Sequence, residues 1–211
     1  MAFQSPASQP QQIPGPSGLL QAVVEEPNGA PPAIAIVCHP HPLHGGTMNN
    51  KVVRTLAWAC SDCGVPTVRF NYRGVEESQG SYDGGIGETE DALAVIDWAQ
   101  SRWPGLSLWL AGFSFGGGVA LRAALRRPTT RLITVAPAAA REAPPAQVPD
   151  CPWLLVQGDA DDVIPAPMVL TWAQALSRPP EIKVLEGAGH FFHGRLVELR
   201  ALVRDWLSAH S

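Results

Sequence analysis

Nothing in the sequence is apolar for long enough to span a bilayer, so a membrane-spanning protein is set aside. The start carries no basic segment followed by an apolar one. No secretion signal is therefore expected, and the cytoplasm is the expected location. Cysteine is scarce. Cys38, Cys60, Cys63 and Cys151 are too few and too scattered for a disulfide scaffold. Cys60 and Cys63 have redox or zinc spacing, but they end an apolar helical pattern and no second Cys or His pair matches them. Buried thiols in a reducing compartment are the expectation. Charge is also sparse, at 16% of residues and a formal −4, with no basic patch of the kind nucleic acid requires. Arg122, Arg126, Arg127 and Arg131 read as the solvated side and end of one helix. There is no internal repeat and no second domain. The 211 residues, 45% of them apolar, suit one core-rich globular unit.

What the chain does have is a glycine-rich turn in a telling context. Leu108-Trp109-Leu110-Ala111 is an apolar run that leads into Gly112-Phe113-Ser114-Phe115-Gly116, and a helix-compatible segment follows from Val119 to Leu125. A strand, a sharp turn and a helix around Gly-x-Ser-x-Gly form the setting of a nucleophile elbow. The strained turn lifts the serine hydroxyl above the sheet, and side chains two residues either side would collide, hence Gly112 and Gly116. The helix begins at the serine, so its free N–H groups and positive dipole end point at the reacting centre. Gly117 and Gly118 cost about 1 kcal/mol each in helix propensity relative to alanine, a cost consistent with close packing of helix on strand.

The rest of the chain alternates strands and helices. Residues 1–18, rich in Gln, Pro, Ser and Gly, are expected to be a loose or irregular lead-in, and 19–211 the folded domain. Strands are predicted at Leu19–Glu25, Ala33–Cys38, Pro66–Asn71, Leu106–Gly112, Arg131–Ala136, Trp153–Gln157 and Ile182–Leu185. Helices are predicted at Asn49–Cys63, Glu88–Trp103, after Ser114, Pro167–Leu176 and Leu196–Leu207. From Ala33 onward this is the pattern of a mostly parallel sheet covered by helices on both faces. In such sheets chemistry sits beyond the carboxyl ends of the strands, here the loops after Cys38, Gly112, Gln157 and Leu185.

Serine needs a base, and the base needs a carboxylate. The loop after Gln157 offers Asp159, Asp161 and Asp162; the loop after Leu185 offers His190 and His193. The order Ser, Asp, His is the one used by α/β-hydrolases. The chain resembles that superfamily over nearly its whole length. More narrowly, it resembles a group of small bacterial hydrolases without a lid, through Cys38-His-Pro-His-Pro-Leu-His-Gly-Gly-Thr-Met48 and the following Asn50-Lys-Val-Val53. Asn71-Tyr-Arg-Gly-Val-Glu-Glu-Ser-Gln-Gly80 is similar to a superfamily loop in which Glu76 takes the place of the middle glycine.

The resemblance implies a single-domain α/β-hydrolase fold with no lid or cap. In the family pattern Gly-x-x-Asp-x-x-Val/Ile-Pro the acid falls on Asp161. Asp159 is then expected to bond loop amides and Asp162 to cap the next turn. The family's Gly-x-x-His falls on His190, leaving His193 at the start of the last helix. An oxyanion hole needs two N–H donors: Phe115 after the nucleophile, and one from the loop after Cys38. Pro40 and Pro42 have no N–H, which leaves His41, Leu43 or His44. The superfamily's His-Gly-x turn points to His41, acting through its backbone. Leu43 and Phe191 are the expected substrate contacts. His39, His41 and His44 lack a neighbouring carboxylate or cysteine, so no metal is expected, and no cofactor.

The expected partner is a small acyl substrate, with no nucleic acid and no membrane. The expected activity is ester hydrolysis through an acyl-enzyme. Thioester or peptide cleavage by the same groups is the alternative, and a non-catalytic binding protein on the same fold is the alternative of another class.

Overall fold

The computed structural model describes residues 8–210. Eight strands form one sheet: β1 Ser8–Gly15, β2 Gly18–Glu25, β3 Ala33–Cys38, β4 Thr67–Phe70, β5 Ser107–Phe113, β6 Arg131–Val135, β7 Trp153–Gly158 and β8 Glu181–Leu185. The helices are α1 Lys51–Asp62, α2 Ile86–Arg102, α3 Phe115–Ala124, α4 Ala166–Gln174 and α5 Leu196–Ala209. The strand order is β1-β2-β4-β3-β5-β6-β7-β8. β1 and β2 are antiparallel to their neighbours, and β3 to β8 all run parallel. The sheet and its helices form the expected single α/β domain. No helix among the described residues is long and apolar enough to cross a membrane.

The two faces of the sheet carry separate cores. One packs Ile34, Ile36, Leu108 and Leu110 against α2, α3 and α4. The other packs Ala35, Val37, Trp109, Ala111 and Phe113 against α1 and α5. Apolar residues at successive positions of β3 and β5 therefore serve opposite faces, and both strands read as unbroken apolar runs because both faces are covered. The middle strands are rigid for that reason, and their carboxyl ends are fixed points from which loops are hung.

One expectation fails at the start of the chain. In place of an irregular lead-in over residues 1–18, Ser8–Gly15 is strand β1, paired along its whole length with β2 through a tight turn at Pro16-Ser17. Residues 1–7 of that stretch lie outside the described residues. The polar composition misleads because β1 is an edge strand, solvated on most of its surface, and an edge tolerates Pro10 and Pro14. Ile13, fully buried, is its anchor to the core.

Loop anchoring is polar and buried. Asp91 of α2 takes a two-nitrogen contact from the Arg73 guanidinium and a further bond from the Arg73 backbone N–H at 2.9 Å, which holds the loop after β4 against the helix. Glu76, at φ +48°, does take the left-handed backbone of the glycine it replaces. Its carboxylate accepts from Asn71 Nδ2 at 2.7 Å, while Asn71 Oδ1 accepts from Met48 N–H at 2.8 Å. Those bonds offset the strain of a non-glycine residue there.

Candidate active site

Ser114 sits between β5 and α3 with φ +55° and ψ −118°. Its N–H donates to Val135 O at 2.9 Å, and its carbonyl accepts from Gly117 and Ala138 N–H, each at 3.0 Å. Three segments thus hold a strained residue in place. The flanking glycines are sterically required. A Cβ on Gly112 would lie 2.1 Å from Gly116 O, and one on Gly116 would lie 2.3 Å from Cys38 O and 2.5 Å from His39 O. Both obstacles are backbone, so neither can swing aside. Gly116→Ala is expected to cost about 3 kcal/mol, because the helix must retreat from the loop after β3. Thermal melting should read this as a drop of roughly 6–12 °C; an unchanged melting temperature would disprove the close approach.

The loops after β7 and β8 bring two more residues to the same point. His190 Nε2 lies 3.1 Å from Ser114 Oγ, and His190 Nδ1 lies 2.8 Å from Asp161 Oδ2. All three residues are buried. With a carboxylate at Nδ1, the proton is assigned to that nitrogen, and Nε2 presents its lone pair to the serine hydroxyl. The imidazole is gripped by Phe113, with ring centroids 5.0 Å apart, and by Phe191 at 5.1 Å in an edge contact. Asp161 is heavily bonded. Its Oδ1 accepts from Val163 N–H at 2.9 Å and Ile164 N–H at 2.7 Å, and its Oδ2 also accepts from Gln157 Nε2 at 3.0 Å. Burial alone would raise this carboxyl's pKa. The bonds from His190 and the Ile164 and Val163 amides outweigh that and hold it below its ordinary value.

The rival residues fall elsewhere. Asp159 bonds the Gly187 N–H at 2.6 Å, tying the acid loop to the histidine loop as expected. Asp162 is exposed and is not the cap of the next turn; Asp161 fills that role with its second oxygen, because the turn amides face inward. His193 is exposed and stacks on Phe191, and no hydrogen bond joins it to Ser114. Gln157 was missed as more than the end of a strand. The signal was an amide closing an otherwise apolar run; it is fully buried and also bonds the Gly158 and Ile164 carbonyls.

The three candidate amides of the loop after β3 differ in their bonding. Leu43 N–H donates to His41 Nδ1 at 3.2 Å, and His44 N–H donates to the His41 carbonyl at 3.1 Å. Among the bonds of the described residues, the His41 N–H and the Phe115 N–H have no internal acceptor. The two residues are adjacent, their rings 4.9 Å apart. His39 fixes this loop. Its Nδ1–H donates to Pro40 O at 2.7 Å and its Nε2 accepts from Tyr72 N–H at 3.1 Å, and burial drives its pKa down to about 3, so the ring stays neutral. No cluster of metal-ligating side chains occurs among the described residues. Leu43, 67% exposed, and Phe191, 45% exposed, are on the accessible rim.

A sheet of this topology, with the strand–serine–helix turn at its centre and no lid between β6 and β7, is an α/β-hydrolase, similar to the small bacterial ones without a lid. The chain belongs to the family described as serine aminopeptidase, S33, which matches residues 35–150 and so includes Ser114. A solved α/β serine hydrolase homologue from Coxiella burnetii is 46% identical, with a TM-score of 0.91 over 98% of this chain and 100% of that one. An α/β serine hydrolase without a lid from Xanthomonas campestris is 40% identical, with a TM-score of 0.86 over 97% and 95% of the two chains. An uncharacterized protein of Rickettsia prowazekii is 34% identical, over 92% of this chain and 86% of that one. The protein is a hydrolase by these relationships.

Proposed function

We propose that the protein cleaves esters of short acyl chains through Ser114, His190 and Asp161. The observation that carries this reading is the continuous hydrogen-bonded path from Ser114 Oγ through the imidazole to Asp161. His190 Nε2 takes the hydroxyl proton as Ser114 Oγ attacks the carbonyl carbon. The same proton then goes to the departing alcohol. Asp161 keeps Nδ1 protonated and stabilises the imidazolium. The Phe115 and His41 N–H groups receive the negative oxygen of the tetrahedral intermediate, each contributing about 3 kcal/mol. Water, activated by His190 in turn, releases the acid.

Substrate size follows from what surrounds the serine. The connection from β6 to β7 holds one 3₁₀ turn, Ala138–Arg141, and no lid. Leu43 and Phe191 offer a little apolar surface on an open rim, too little to bury a long tail. With purified protein, kcat/KM on p-nitrophenyl esters should peak at acetate or butyrate and fall by roughly tenfold or more at palmitate. A maximum at palmitate would contradict the open-site reading. Thioesters and peptides can be attacked by the same groups; the aryl ester, with its better leaving group, is the more sensitive probe.

A further inference from the structure

The imidazole of His41 is bonded at both nitrogens, although the mechanism uses only the backbone of this residue. Nδ1 accepts from the Leu43 N–H at 3.2 Å, so the side chain caps the 3₁₀ turn Pro42–His44 that follows it. A nitrogen that accepts carries no proton. The neutral ring therefore holds its proton on Nε2, and Nε2–H donates to the Tyr82 hydroxyl oxygen at 3.2 Å. Tyr82 is itself anchored. The next residue, Asp83, donates its N–H to Glu88 Oε1 at 2.8 Å, and Gly85 donates to Glu88 Oε2 at 2.6 Å, at the start of α2. The rings of His41, Tyr82 and Phe115 form one cluster, with centroids 4.9 to 6.1 Å apart.

These contacts set where the His41 N–H points. That N–H shares the trans Pro40–His41 peptide with the Pro40 carbonyl, and the two point in opposite directions. The carbonyl end is fixed by His39 Nδ1–H at 2.7 Å. The His41 end is fixed by its own carbonyl, which accepts from His44 N–H at 3.1 Å and Gly46 N–H at 3.0 Å, and by the bond of the ring to Leu43. Gly46 packs so closely that a Cβ there would lie 2.1 Å from Pro40 O. Only a neutral ring can cap the turn, because a proton on Nδ1 would meet the Leu43 N–H and break the bond. Burial lowers the pKa of His41, the His44 ring lowers it further, and Glu88 opposes them. Tyr82 and Phe115, the other groups against the ring, are uncharged.

We infer that the His41 imidazole, clamped by Tyr82, is a positioning group for the oxyanion donor: it caps the turn that aims its own backbone N–H at the developing negative oxygen. This rests on the reading of Ser114 as the nucleophile and of the His41 N–H as a donor to the oxyanion. Such donors are worth most when nothing has to reorganise as the charge develops, and the cap supplies that rigidity. Asparagine could cap the same turn without titrating, because its side-chain oxygen accepts from the backbone N–H two residues on.

In His41→Ala, kcat on p-nitrophenyl acetate should fall roughly tenfold to a hundredfold, less than the loss of a whole donor costs, with KM little changed. His41→Asn should recover most of that loss. Tyr82→Phe keeps the ring contacts but loses the hydroxyl, and should lower kcat about fivefold, the worth of one neutral hydrogen bond; it carries the comparison should His41→Ala not fold. A short-chain trifluoromethyl ketone reads the oxyanion directly. Ser114 Oγ adds to its carbonyl carbon, the hydroxyl proton passes to His190 Nε2, and the carbonyl oxygen takes the negative charge. Its inhibition constant should rise in step with the fall in kcat, while that of butyrate, the acid released from butyrate esters, stays constant. In acid, with the melting transition retained, log kcat should fall with a slope approaching two in the wild type and one in His41→Asn, because His190 and His41 must both be neutral in the first and His190 alone in the second. Wild-type kcat and ketone affinity in His41→Ala, a folded His41→Asn no better than His41→Ala, or equal slopes in acid overturns the positioning role, and unchanged values in Tyr82→Phe remove the clamp. A rise in KM alone makes the ring a substrate contact instead. If Ser114→Ala binds the ketone as tightly as the wild type, the nucleophile reading has failed, and the two failures are told apart.

Discussion

Ser114→Ala loses turnover of p-nitrophenyl acetate by a factor on the order of ten thousand or more, with the fold intact. The size of the loss follows from the mechanism: without Oγ no acyl-enzyme forms, and only the oxyanion donors and binding remain. Stability should change little. The substitution removes one atom from a side chain whose hydroxyl has His190 as its hydrogen-bond partner. The backbone bonds to Val135, Gly117 and Ala138 do not depend on it. Alanine tolerates the φ of +55° about as well as serine does, so the elbow keeps its strain and its shape. The wild type should also be captured by a fluorophosphonate at Ser114, mapped by mass spectrometry, and the variant should not. A variant with the wild-type rate would remove Ser114 from the reaction. Loss of rate together with loss of the folded melting transition would point to a structural role.

The fold was legible from β3 onward because its strands are buried on both faces, which writes apolar composition into every position. Ala33–Cys38 is read directly, with the bounds observed. Strand β1 was not legible, since an edge strand solvated on most of its surface has the composition of a loop. The candidate site was legible where geometry restricts residue type: no side chain fits at Gly112 or Gly116, and proline removes two of the loop amides. Choosing among Asp159, Asp161 and Asp162 needed a family pattern, because three aspartates within four residues look alike until the loop is folded. Gln157 was invisible as more than the end of a strand for another reason: its partners, Asp161 Oδ2 and the Gly158 and Ile164 carbonyls, come within its reach only once the loop after β7 folds back on the strand.

Asp161→Asn should lower kcat by a factor on the order of ten thousand while KM on p-nitrophenyl acetate changes little. The substitution is nearly isosteric, and its effect lies in hydrogen-bond direction. The oxygen of the introduced amide can still accept from the Val163 and Ile164 N–H groups, which fixes the side chain's orientation. The amide nitrogen then occupies the place of Oδ2, where it meets two donors, Gln157 Nε2 and His190 Nδ1–H. Gln157 cannot turn its oxygen inward without giving up its bonds to the Gly158 and Ile164 carbonyls. His190 relieves the conflict by moving its proton to Nε2, which leaves no lone pair for the serine hydroxyl. Stability should fall by about 1–3 kcal/mol, since a buried donor loses its acceptor. The pH dependence has a definite sign. Asp161 is held below its ordinary pKa in the folded state, so its contribution is complete above about pH 4, the unfolded value, and is lost as pH falls through the folded one. The difference in melting temperature between the wild type and the variant should therefore be constant near neutrality and narrow in acid. A variant that keeps wild-type kcat would show that His190 is oriented by something other than this carboxylate, and a melting difference that widens in acid would reverse the linkage.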